Sequence, residues 1–142
     1  MFTHVASYDG PIAALNAIKG LGREVDYRVV PRAIFSDPAL AAVGLTEEEA
    51  RERGYDVAVG TARADGARAK AMGDRRGLLK AVVNRPDGEI LGFHILALHG
   101  DDLLHEAVTA MHGRGSIERI SKSIHVHPTL SEMVKSAARA AK

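Results

Sequence analysis

Apolar positions along the chain change their spacing several times, and each change marks an element. Ile12, Leu15 and Ile18 recur at three-residue steps, the period of one helical face. Asp9-Gly10 precedes them, Pro11 suits a first helical position and Gly20 a stop, which predicts a helix from Pro11 to Gly20. GLGRE, residues 20–24, reads as a linker and sets an expected domain boundary near Arg23. It fits a dinucleotide-binding loop poorly, because no strand precedes it and Val25 stands where the last glycine belongs.

Tyr27 to Phe35, YRVVPRAIF, has strand composition, with Pro31 pointing to an edge or a break. LTEEEARERG, residues 45–54, predicts a helix capped by Thr46, with Glu49 completing a capping box and Gly54 stopping it. YDVAVGTAR, residues 55–63, alternates as a half-buried strand does. GLLKAVVNRPDGEILGFHIL, residues 77–96, holds two β-rich runs joined by Arg85-Pro86-Asp87-Gly88, whose turn chemistry predicts a hairpin.

Beyond it, Leu103, Leu104, Ala107, Val108 and Met111 share one helical face, with Asp101 or Asp102 as the expected cap and Gly113 near the end. SIERISKSI adds a short helical turn, and an Ala-rich helix with its basic residues toward the negative end closes the chain. Strands and helices do not alternate regularly, and the clearest pair is a tight hairpin. The expected fold class is therefore α+β, an antiparallel sheet with helices packed on it, rather than a parallel nucleotide-binding fold.

Composition narrows the function classes. A length of 142 residues suits one domain with a short appendage. Nineteen Lys and Arg against 18 Asp and Glu leave no basic field for nucleic acid or anionic lipid. With no cysteine, thiol catalysis, disulfides and thiolate zinc sites are excluded from this segment. Apolar runs such as Ile95 to Leu98 fall far short of a membrane span, so no membrane partner is expected and a cytoplasmic location is the default.

Candidate chemistry concentrates in SIHVHPTLSE, residues 123–132. Thr129 and Glu132 fit a second capping box, which makes Leu130 the expected first helical residue and gives Glu132 a purely structural reading. Pro128 holds His127 extended at the helix entrance, within reach of a first-turn carboxylate. A carboxylate fixes an imidazole's tautomer and stabilises its protonated form, making His127 a candidate general acid and base. Both readings stay open on spacing alone. His125 and His127 lie two apart with no third ligand placed by spacing, so no metal site is expected. HEAVTAMH, residues 105–112, lacks a second histidine at the fourth position, where Thr109 stands, and is no zinc-protease motif.

HPTLSE, residues 127–132, resembles the C-terminal signature of the flavin-dependent pyridine nucleotide-disulfide oxidoreductases, in the form of their dihydrolipoamide dehydrogenase branch. Three further stretches agree in order. FSDPALAAVGLTEEEA (35–50) is similar to the start of that family's dimerisation domain, residues 77–96 to its central hairpin, and THVASYDG (3–10) to the helix entry after its flavin-binding stretch. The resemblance implies the interface-domain fold of FAD/NAD-linked reductases over 24–142, with 1–23 as the tail of an upstream flavin domain.

It further implies a homodimer in which His127 serves as acid and base at the other subunit's active site, held by Glu132. FAD and NAD(P) would belong to the complete enzyme, bound by upstream domains of the same chain, and none is expected on this segment alone. Main-chain groups of Thr3, His4, Val5 and Ala6 would approach the flavin, and Pro128 would adjoin the cofactor. The redox Cys pair and both Gly-rich loops are absent here, so the segment alone is not expected to be active. LALHGDDLLHE, residues 96–106, departs from the usual pattern and leaves the substrate subgroup open. A mercuric-reductase-like role fits less well, because the C-terminal Cys pair of that branch is missing. The rival reading is a non-catalytic, stand-alone homodimerisation module.

Overall fold

A computed structural model describes residues 2–141; Met1 and Lys142, the outer ends of the expected tail and of the expected last helix, lie outside the described residues. At its centre is a five-stranded, wholly antiparallel sheet in the order β1-β2-β5-β4-β3. Its strands are β1 (Arg32–Ile34), β2 (Ala39–Gly44), β3 (Val57–Arg63), β4 (Leu78–Asn84) and β5 (Ile90–Ala97). The helices are α1 (Thr3–Lys19), α2 (Glu47–Glu52), α3 (Ala67–Met72), α4 (Gly100–His112), α5 (Glu118–Ser121) and α6 (Ser131–Ala140). This is the expected α+β architecture.

The β4–β5 hairpin forms as its turn chemistry predicts. Asn84 N donates to Glu89 O and Gly88 N to Asn84 O, and Gly88 takes the positive φ of 72° that glycine tolerates. Thr46 and Glu49 make both halves of a capping box on α2. Along the strands, Ala41, Val43, Leu79, Ala81, Phe93 and Ile95 are fully buried, and Leu104, Ala107, Ile120, Met133, Val134 and Ala137 of the later helices pack into the same core. Each large side chain removed from water in this way contributes about 1.5–3 kcal/mol. A smaller cluster of Ala50, Val57, Val82 and Leu91 lies with α2.

Several elements depart from expectation. Helix α1 begins at Thr3 and carries Pro11 inside it, because eight residues before the proline are also helical and a missing N–H is tolerated on a helix that buries no residue. The expected strand over Tyr27–Phe35 shrinks to Arg32–Ile34 at the sheet edge, since Pro31 offers no N–H to the ladder. Helix α4 is entered through His99 in the left-handed region, φ 54°, so Asp101 and Asp102 occupy the first turn rather than the cap. Helix α6 starts at Ser131 with Leu130 as its N-cap residue. Strand β2 and helix α3 carried no clear periodic signal. Among the described residues no helix is long and apolar enough to cross a membrane.

Candidate functional site

The loop between α5 and α6, residues 122–130, carries His125 and the candidate His127. Pro128 lies three residues before α6, and the first turn of that helix carries Glu132, whose carboxylate reaches back to the loop. Glu132 Oε1 lies 3.0 Å from His127 Nδ1, and its Oε2 accepts from Thr129 N at 3.0 Å. The carboxylate therefore bonds in two directions at once: one oxygen takes one half of a capping box and the other meets the imidazole. The other half is missing, because Thr129 Oγ1 donates to Val126 O at 2.7 Å and adjoins Ser131 Oγ instead.

The Thr129 N–H holds the Glu132 carboxyl below its ordinary value of 4.5, with the His127 hydrogen bond adding to the effect and burial opposing it. An ionised carboxylate on Nδ1 fixes the tautomer that donates from Nδ1 and leaves Nε2 with its lone pair. The His127 side chain is 70% exposed, and among the described residues Nε2 has no hydrogen-bond partner. Such a group can take a proton from a molecule outside this chain and return it.

Thr3, His4, Val5 and Ala6 form the first turn of α1. The N–H groups of Thr3, His4 and Val5 precede the first helical bond and meet no side-chain cap, whereas Ala6 N donates to Phe2 O at 3.0 Å. Thr3 and His4 line a concavity with Phe35, Asp101 and His105. Pro128 borders a different one with Arg68, His99 and Leu103. The structure thus brings His127 and Glu132 together and keeps the α1 turn apart from them. Among the described residues no three His, Cys, Asp or Glu side chains group as metal ligands.

One pair was not anticipated. His125 Nε2 lies 2.7 Å from Glu106 Oε1 on α4, across 19 residues of chain. Local spacing offers no signal for it.

Fold and sequence together define the class. The sequence pattern described as pyridine nucleotide-disulphide oxidoreductase, dimerisation domain, matches residues 30–138, and the chain belongs to that family. It is 41% identical over 139 residues to a dihydrolipoyl dehydrogenase of Geobacillus stearothermophilus, covering 97% of this chain and 29% of that protein. A leghemoglobin reductase of Glycine max is 39% identical over 141 residues, with 99% of this chain and 27% of that protein covered. Among solved structures, the HOCl-induced flavoprotein disulfide reductase RclA from Escherichia coli superposes with a TM-score of 0.89 at 31% identity, over 100% of this chain and 33% of that one. The chain thus spans about a third or less of the length of the relatives it matches.

Proposed function

We propose that this chain is the dimerisation domain of a dihydrolipoamide dehydrogenase-like, FAD- and NAD(P)-dependent dithiol-disulfide oxidoreductase. In the homodimer, His127 of one subunit works at the disulfide of the other, with Glu132 orienting it. The observation that carries this reading is the 3.0 Å bond between Glu132 Oε1 and His127 Nδ1 beneath an exposed ring. Residues 1–23 are read as the tail of the upstream flavin domain and 24–142 as the dimerisation domain; α1 burying no residue supports that division.

In the exchange step, His127 Nε2 takes the proton of an incoming thiol, and the thiolate sulfur attacks one sulfur of the disulfide. A new S–S bond forms as the old one breaks, and the departing thiolate takes the proton back from Nε2. Glu132 stabilises the imidazolium that exists between the two transfers. The flavin and nicotinamide supply the electron path to the disulfide when bound. The uncapped N–H groups of Thr3, His4 and Val5 suit acceptor atoms of a flavin.

The test is His127→Gln in the full-length protein. It is expected to suppress turnover of the dithiol substrate by at least about a hundredfold while flavin reduction by the nicotinamide continues; equal loss of both half-reactions would refute the role. A second reading, a non-catalytic dimerisation module, draws on the bond from Thr129 N to Glu132 Oε2, which suffices to explain the carboxylate as a helix-entry residue. Under it, Glu132→Gln leaves turnover unchanged.

A further inference from the structure

Two residues before the exposed His127, a second histidine meets a carboxylate that the exchange step does not use. His125 stands two residues earlier, yet its side chain is only 7% exposed, while its neighbours Ile124 and Val126 are 99% and 74% exposed. Between Lys122 and Pro128 it is the side chain that turns inward. Its Nε2 meets Glu106 Oε1 of α4 at 2.7 Å, and its Nδ1 meets the carbonyl oxygen of Ser123 at 3.2 Å.

Both partners accept. A neutral imidazole carries one N–H and satisfies one acceptor; the two bonds together need one further proton, held on the ring or on the carboxyl facing it. The ring side of this contact is buried, and an unpaired polar group there is costly. From the other side, α6 holds the same strap: Lys135 Nζ donates to Ser123 O, and Arg139 Nε donates to Ser121 O at 3.2 Å. Glu106 is the α4 member of this clamp.

We propose that His125 and Glu106 are positioning residues, which pin the strap to α4 so that His127 arrives at Glu132 and at the neighbouring subunit with its ring in place. The proposal rests on the reading of His127 as the acid and base. Without Glu106 the buried Nε2 loses its partner, the strap keeps only its α6 attachments, and the main chain carrying His127 shifts against a Glu132 that stays on α6. The conservative replacement behaves differently. A glutamine amide at 106 can donate to Nε2 while Nδ1–H donates to Ser123 O, so a neutral ring satisfies both contacts with no further proton.

The experiment compares Glu106→Ala, Glu106→Gln and His127→Gln in the intact FAD-loaded enzyme. Stopped flow reads flavin reduction by the nicotinamide and by dihydrolipoamide separately. Glu106→Ala is expected to slow the dihydrolipoamide half-reaction by roughly tenfold or more, with its KM within about twofold and nicotinamide reduction unchanged. Glu106→Gln is expected to recover all but about threefold of that rate. Wild-type rates in Glu106→Ala, equal losses in the Ala and Gln variants, or a parallel fall in both half-reactions would each overturn the proposal. If His127→Gln abolishes the dihydrolipoamide step and Glu106→Ala spares it, positioning alone fails; if His127→Gln spares it, the acid and base reading itself fails. Glu106→Asp, whose carboxylate is withdrawn by one methylene, carries the same test should Glu106→Ala not fold.

Discussion

Gly60, in the middle of β3, sets how closely α6 can lie on the sheet. A Cβ built there would come within 2.2 Å of Ala137 O, 2.3 Å of Ala141 N and 2.7 Å of Ala141 Cβ. Ordinary non-bonded contact begins near about 3.5 Å, so the C-terminal half of α6 would have to rise by roughly 1 Å. Main-chain atoms cannot swing aside as a flexible side chain does. Overfilling of this kind costs about 1–3 kcal/mol, and the main-chain obstruction places Gly60→Ala at about 3 kcal/mol. For a chain of this size that lowers the melting temperature by about 10 °C. Thermal and urea unfolding followed by far-UV circular dichroism reads the effect directly. Gly10→Ala is the control: it lies in α1 with nothing within 4 Å of the added carbon, and should gain about 0.5–1 kcal/mol in local helix stability without moving the main transition. A Gly60→Ala protein within about 0.5 kcal/mol of the parent would refute the claim that α6 rests on this glycine.

Two further predictions concern pH. Burial pushes the His94 imidazole below its ordinary value of 6.5, while its Nε2–H donates to Leu45 O at 3.0 Å and partly opposes the shift. Its contribution is therefore complete above pH 6.5 and declines below it as the unfolded chain takes up the proton more readily. His94→Gln should flatten the fall in stability between about pH 7 and about pH 5; urea midpoints that stay parallel to the parent's across that range would contradict this. Glu132 behaves as a carboxylate held below 4.5 by Thr129 N–H and His127, so its contribution is present above that value and lost as the medium becomes more acidic. Midpoints for Glu132→Gln should thus converge on the parent's as the pH falls below 4.5, and a difference that stays constant under acidification would count against the ionised pairing.

What could be read from the residues was what local chemistry dictates. The hairpin turn at Arg85–Gly88 and the Thr46–Glu49 box each specify their geometry within four residues, and both are present as expected. The meeting of His127 with Glu132 has the same local character, five residues apart. Strand β2 escaped notice because Ala39-Leu40-Ala41-Ala42-Val43 has only one β-branched residue; its inward positions, Ala41 and Val43, are buried by partners far along the chain. Pro11 suits a helix start locally, but Thr3–Gly10 are helical in their own right and α1 runs through it. The Thr129 box is half made, since its hydroxyl found Val126 O nearer than the helix. Nothing local announces His125 and Glu106, which the packing of the loop on α4 brings together.

The pairing of β2 with β5 has a consequence during synthesis. The two strands are separated by about fifty residues, and a ribosome adding about 5–20 residues per second leaves β2 with only the short β1 to pair with for about three to ten seconds. The β4–β5 hairpin can close as soon as it emerges, but β2 must wait for it. A strand that is half alanine, with a single β-branched residue, presents little adhesive surface in that interval and has low β-propensity of its own. The composition that gives β2 no periodic signal thus also gives it little to offer another chain before the sheet is complete.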